Sequence, residues 1–265
     1  MNPDRMALLE AATAARATGE YAAALRHNEA FHAAGPADSL GSFWFSIFAL
    51  GEWAALAAVY PPARQALLDL RDRETALLLA GQAVVQRFAD GSVARRFKLV
   101  SELNQQLGDQ RATCDTFMAL EASAPDEARR NFVDASGAIV ASGEYACAQR
   151  YLAEPSADMR KCAASLNAAI ASFGTDESHP SFIRKMGEMG SFASHLRLHE
   201  QVLEGLGDAP GAQRLRADAL AALDSDATRR IVQQELAQPG TIAGLVSERE
   251  MERDAQRARD SDATQ

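Results

Sequence analysis

The chain has 265 residues, 47% of them hydrophobic and 24% charged, a balance that excludes wholesale disorder and allows a sizeable core. A formal net charge of -9 opposes binding to a phosphate backbone, which draws its affinity from a concentrated basic surface, so nucleic acid is not an expected partner. Cys114, Cys147 and Cys162 form no Cys-x-x-Cys pair, so neither disulfides nor a cysteine-rich zinc site is expected.

Alanine and leucine dominate, β-branched runs are sparse, and no Asn-Gly or Asp-Gly turn is read as separating two alternating apolar segments, so helices are expected throughout. Met1 to Arg5 lead into no signal-like apolar run, and even Phe43 to Leu50 falls short of the roughly 20 residues that cross a bilayer. The expectation is a soluble, cytoplasmic protein without a membrane partner. Asn2 can cap a first helix with Pro3 at its first position, and Gly19 would end it.

The segment around Gly19 recurs. Thr18-Gly19-Glu20-Tyr21-Ala22 reappears as Ser142-Gly143-Glu144-Tyr145-Ala146, and Leu50-Gly51-Glu52-Trp53-Ala54 is a close variant. Leu107-Gly108-Asp109 and Leu206-Gly207-Asp208 share its first half. Each reads as a helix stop followed by an acidic residue, which belongs near the positive end of the next helix dipole. Spacings of 32 residues from Gly19 to Gly51 and 35 from Gly108 to Gly143 match the period of helical repeat proteins, while 57 from Gly51 to Gly108 and 64 from Gly143 to Gly207 would fit an irregular pair of units.

The chain thereby resembles the tetratricopeptide repeat family, whose helix-turn-helix units carry a small residue in the turn and a closing proline. Gly19, Tyr21, Ala24 and Pro36 match one unit; Gly108, Phe117 and Pro125 match another, each with glycine and proline 17 residues apart. Asn28 and Thr113 depart from that pattern, and the first helices lack the Trp-x-x-Leu-Gly signature. The resemblance implies an all-α solenoid of stacked antiparallel helix pairs, a tetratricopeptide-like superhelix of six or seven pairs, most regular between about residues 92 and 155.

Pro61-Pro62 should start a long helix from Ala63 to about Phe88, with Leu67, Leu70, Leu77 and Val84 along it. Ser92 should cap the next, with Val93, Phe97, Val100, Leu103 and Leu107 on one face. Gly174 to Pro180, with Thr175, Asp176 and Ser178 as caps, reads as a joint. The expected organisation is a repeat region over residues 1–173, further helical pairs over 174–246, and a polar segment over 247–265. Ser247-x-x-Glu250 would open that last segment as a capping box, with disorder from about Asp260.

Candidate sites are few. His195-x-x-x-His199 followed by Glu200 puts two imidazoles on one helix face, but Leu196 stands where a zinc protease has glutamate and no third ligand lies nearby in sequence. These three residues are weak metal candidates, and hydrogen-bonded surface histidines are the simpler reading. His27 and His32 read as surface residues. Gly187-x-x-Gly190 reads as a helix interruption. No nucleophile elbow, Walker loop or dinucleotide fingerprint occurs, so no enzyme and no cofactor is expected. Phe43, Trp44, Phe45, Phe48 and Trp53 read as core or, less simply, as an aromatic-lined pocket.

By the resemblance, the inner groove would carry Arg95, Lys98, Glu102, Gln105 and Arg130. Three basic residues there would hold an acidic peptide, although Glu102 one turn after Lys98 would neutralise it, and a solvated charged face is the simpler reading. The function expected is therefore a non-enzymatic protein- or peptide-binding scaffold. The alternatives are a metal protein using His195 and His199, and a self-associating structural protein using the aromatic surface near Trp44 and Trp53.

Overall fold

The structure, a computed structural model, describes residues 3–35, 39–174 and 178–262. Asn2, Pro36, Thr175 and Asp176, each assigned a cap or closing role from sequence, lie outside the described residues. The chain is all-α, with thirteen helices and one short hairpin among the described residues. It divides into two compact units, Met1–Ser142 and Gly143–Gln265. The joint expected at Gly174 to Pro180 lies inside the second of these.

The first unit runs α1 Pro3–Ala17, α2 Tyr21–Ala33, α3 Leu40–Ala57, α4 Pro61–Leu79, β1 Val84–Arg87, β2 Val93–Arg95, α5 Arg96–Gln106, α6 Gln110–Ser123 and α7 Pro125–Ala141. The turn glycines at 19 and 108 are left-handed, with φ of 79° and 72°. Gly19 N–H donates to Arg16 O and Glu20 N–H to Ala15 O; Gly108 N–H donates to Gln105 O and Asp109 N–H to Asn104 O. This paired bonding satisfies the last carbonyls of a helix and requires a residue without Cβ strain. Asp109 then caps α6 through Ala112 N–H. Thr113, where the repeat pattern has alanine, is buried and accepts a hydrogen bond from Asn104.

Gly51 behaves differently. It lies within α3, which continues to Ala57, and the reversal comes at Tyr60 before Pro61. Leu-Gly-acid therefore does not mark a turn here. Leu50, Trp53, Leu56, Ala63, Leu67 and Leu103 form one buried cluster across α3, α4 and α5. By length and composition α3 could cross a membrane, against the expectation from sequence, and fewer than half of its residues are buried.

The long helix expected from Ala63 to about Phe88 instead ends at Leu79 and gives way to strand. Gly81, at φ 87°, ends α4, and Val84 pairs with Arg95 in a two-stranded antiparallel hairpin. Its tip is Asp90-Gly91, an Asp-Gly turn overlooked because its flanking strands are only three and four residues long. Asp90 Oδ1 accepts from the Ser92 N–H and hydroxyl, so Ser92 closes a turn rather than capping a helix. Phe88 and Ala94 bury against Phe43 and Ile47 of α3. Arg96 donates to Gln82 O and to the buried Glu74 of α4, tying the hairpin base down.

The second unit runs α8 Tyr145–Tyr151, α9 Pro155–Phe173, α10 His179–Gly205, α11 Ala209–Ala221, α12 Asp226–Ala237 and α13 Thr241–Asp262. Helix α10 is its axis, packing against α8, α9, α11, α12 and α13. It passes unbroken through Gly187 and Gly190, contrary to the expected interruption, and Gly190 lies against Ile242 of α13. Gly207, at φ 88°, repeats the two-bond stop, with Asp208 capping α11. Met159, Leu166, Met189, Phe192, Leu196, Leu215, Leu223 and Val232 make the core. Ser247 lies inside α13, which starts at Thr241, so it opens no helix, and that helix is traced through Asp262.

Candidate functional site

Three features have a chemistry to weigh. The first is the face of α5 and α7 in the first unit. Lys98 Nζ lies 3.8 Å from Glu102 and 3.5 Å from Asp134, Arg95 bonds Glu127 at 3.3 Å, and Arg130 bonds the same Glu127 at 3.2 Å. Each cation has a carboxylate partner, so this face is charge-balanced rather than basic. Gln105 is exposed beside it. Lys98 Nζ also sits 5.6 Å from the Trp44 ring centroid, a cation–π distance. Trp44 is 40% exposed and Phe48, one turn along α3, 77%. Trp53, by contrast, is buried and donates its indole N–H to Ala63 O, which removes it from any self-association surface.

The second is a cavity of about 570 Å³ in the same unit, bordered by His32, Phe43, Ser46, Trp53, Glu74 and Arg96 among others. His32 is not the surface residue expected from sequence. Its ring packs edge-on to Phe31 and lies 5.3 Å from Trp53, and its Nε2 is enclosed without a hydrogen-bond partner among the described residues. Burial, reinforced by the nearby Arg5 cation, pushes its pKa down to about 3, so it is neutral.

The third lies between α9 and α10 in the second unit. His195 and His199 do share one face, and both Nε2 atoms point at Asp158 Oδ2, at 2.7 and 2.9 Å. Asp158 and Cys162 occupy the same face of α9 one turn apart. The ligand atoms of Asp158, Cys162 and His195 all lie within 4.8 Å of one another. His199 is 1% exposed and His195 36%, so the first faces the core and the second a cavity of about 320 Å³ bordered by Cys162, Glu188, Ser191 and Phe192.

Burial lowers the His199 pKa against the opposing pull of Asp158. Burial works against the Asp158 carboxylate, but bonds from His195 and His199 hold its pKa below the usual range. Burial, then the Asp158 charge, raises the Cys162 thiol. Glu200 takes no part: it is buried and holds Arg216 of α11 through two 2.6 Å bonds. Asp158 was missed because it lies 37 residues upstream of His195, on another helix, where periodicity gives no signal.

No family model matches the chain, and neither the curated proteins nor the solved structures compared with it include a match.

Proposed function

We propose that the protein is a non-enzymatic binding scaffold whose first unit is a tetratricopeptide-like stack of helix pairs. Supporting the stack, α1, α3, α5 and α7 touch in succession, while α2, α4 and α6 each pack against the next odd-numbered helix. The face of α3, α5 and α7 would be the groove. The observation that carries this reading is the exposed Trp44 and Phe48 adjoining the Lys98, Glu102 and Asp134 cluster. Exposed aromatics beside charges of both signs suit a peptide with one apolar anchor flanked by polar residues, since anchors supply most binding energy and paired charges supply register. The matched carboxylates argue against an acidic peptide, the ligand that the three basic residues alone would suit.

The test compares capture by the intact chain, a Trp44→Ala/Phe48→Ala variant, and an Arg95→Glu/Lys98→Glu/Arg130→Glu variant, with helicity followed by circular dichroism. Both variants should stay folded and lose the partners held by the intact chain. Recovery of the same partners by both variants refutes the groove. Capture of the chain's own copies alone, with light scattering above monomer mass, would replace it with self-association.

A further inference from the structure

We propose that Asp158, Cys162 and His195 bind one divalent transition-metal ion of the zinc type, with His199 positioning the Asp158 carboxylate. The proposal is independent of the groove reading, which concerns the other unit.

Geometry comes first. Two i, i+4 pairs, Asp158/Cys162 on α9 and His195/His199 on α10, face one another across a helix pair whose backbones are fixed by the Met159, Leu166, Phe192 and Leu196 core. The ligand atoms of Asp158, Cys162 and His195 fall within 4.8 Å. A tetrahedral zinc ion, with bonds of about 2.0–2.3 Å, would set them about 3.3–3.8 Å apart, so that His195 Nε2 and Asp158 Oδ2, now 2.7 Å apart, would separate by rotamer adjustments on fixed helices. Oxygen, sulfur and imidazole nitrogen together suit zinc or cobalt and do not suit magnesium or calcium, which take oxygen ligands.

The hydrogen bonding points the same way. Both imidazole Nε2 atoms converge on a single carboxylate oxygen, a concentration of ligand atoms with a thiol alongside. His199, enclosed by protein, is placed to donate Nε2–H to Asp158, the arrangement by which an outer imidazole fixes a ligating carboxylate. His195 faces the cavity; its Nε2–H donates to Asp158, and with that proton moved to Nδ1 the freed Nε2 lone pair can turn to an ion. Glu188 at the cavity and Glu154 at the start of α9 add negative charge, against Lys161 alone among the cavity-lining cations.

Charge and protons balance on binding. The ion forms bonds to Asp158 oxygen, Cys162 sulfur and His195 nitrogen, and the Cys162 proton is released to solvent. The two anionic ligands then neutralise the +2 charge. Three protein ligands leave a fourth position facing the 320 Å³ cavity, where a water or a small anion fits.

The experiment uses the full chain, stripped with a chelator and titrated with cobalt(II), then zinc(II). One equivalent of cobalt should bind, with thiolate-to-cobalt charge-transfer absorption and tetrahedral visible bands, both erased when zinc displaces it. Cys162→Ser, nearly isosteric, should abolish the charge-transfer band and weaken zinc by more than about 100-fold. His195→Ala, at a partly exposed position, should weaken zinc similarly. His199→Gln should weaken it only about 10- to 100-fold and keep the band, the behaviour of an outer group. Absence of stoichiometric cobalt in the folded chain, or undiminished binding in both the Cys162 and His195 variants, overturns the site and leaves the cluster as a hydrogen-bonded clamp between two helices.

Discussion

The α5/α7 face of the first unit and the α9/α10 seam of the second both set carboxylates against nitrogen bases across packed helices, yet they end in different states. On the first, every base is a lysine or arginine, which has donors but no lone pair, so each ion pair is closed once made. On the second, the bases are imidazoles, which keep a lone pair, and a thiol stands beside them. Packed helix pairs therefore support two different proposals, a surface for a partner's side chains in the first unit and a cation pocket in the second. The chemical type of the base decides, not the fold.

The largest effect expected lies beneath the first surface. Arg96 and Glu74 are both buried and paired, so Arg96→Met should cost about 3 kcal/mol by leaving the buried carboxylate with only the largely exposed Arg73 at 3.3 Å, while Glu74→Leu/Arg96→Met should recover most of it. Both tryptophans lie in the first unit, so urea unfolding followed by tryptophan fluorescence reads this directly. No recovery in the double variant would mean that the pair itself, not the stranded charge, holds the hairpin.

A buried imidazole whose Nε2 has no hydrogen-bond partner among the described residues sharpens the contrast. The His32 pKa lies at about 3 in the folded chain, below the ordinary value near 6.5, so between those values the unfolded chain binds more protons. Stability should then fall by about 1.4 kcal/mol for each pH unit below about 6.5, and His32→Gln should remove that slope. An unchanged slope in the variant would assign the acid sensitivity elsewhere.

Two glycines with the same Leu-Gly-acid context should respond with opposite signs. Gly108 has φ of 72°, so Gly108→Ala should cost about 1–2 kcal/mol. Gly51 is inside α3, where an added methyl group would meet nothing within 4 Å, so Gly51→Ala should gain about 0.5–1 kcal/mol. The smallest change belongs to the charged face: Lys98→Met, which loses two partly exposed ion pairs, should cost under about 1 kcal/mol in the same urea titration.

Those glycines also show how far the sequence could be read. Gly19, Gly108 and Gly207 were legible because a left-handed helix stop almost demands glycine, and the acid after each starts a new helix. Gly51 shares the local word, but Ala54 to Ala57 keep good helix formers going, and three residues do not reveal whether a helix continues. Val84 falls on the helical spacing of Leu70 and Leu77, which hid a hairpin whose Asp90-Gly91 turn stands in plain view. The His195 and His199 pairing could be read from their spacing. Their carboxylate could not, because contacts between helices carry no period, and the adjacent Glu200 is held by Arg216 instead.

The hairpin has a practical consequence for handling the molecule. Its base is clamped by Arg96 to Gln82 and Glu74, and its sides rest on Phe43 and Ile47, whereas Asp90 and Gly91 at the tip are in the open. New termini or an inserted reporter domain placed between those two residues would leave both flanks anchored. The first unit thus carries a natural port through which it can be labelled, or cut and rejoined, without disturbing its helices.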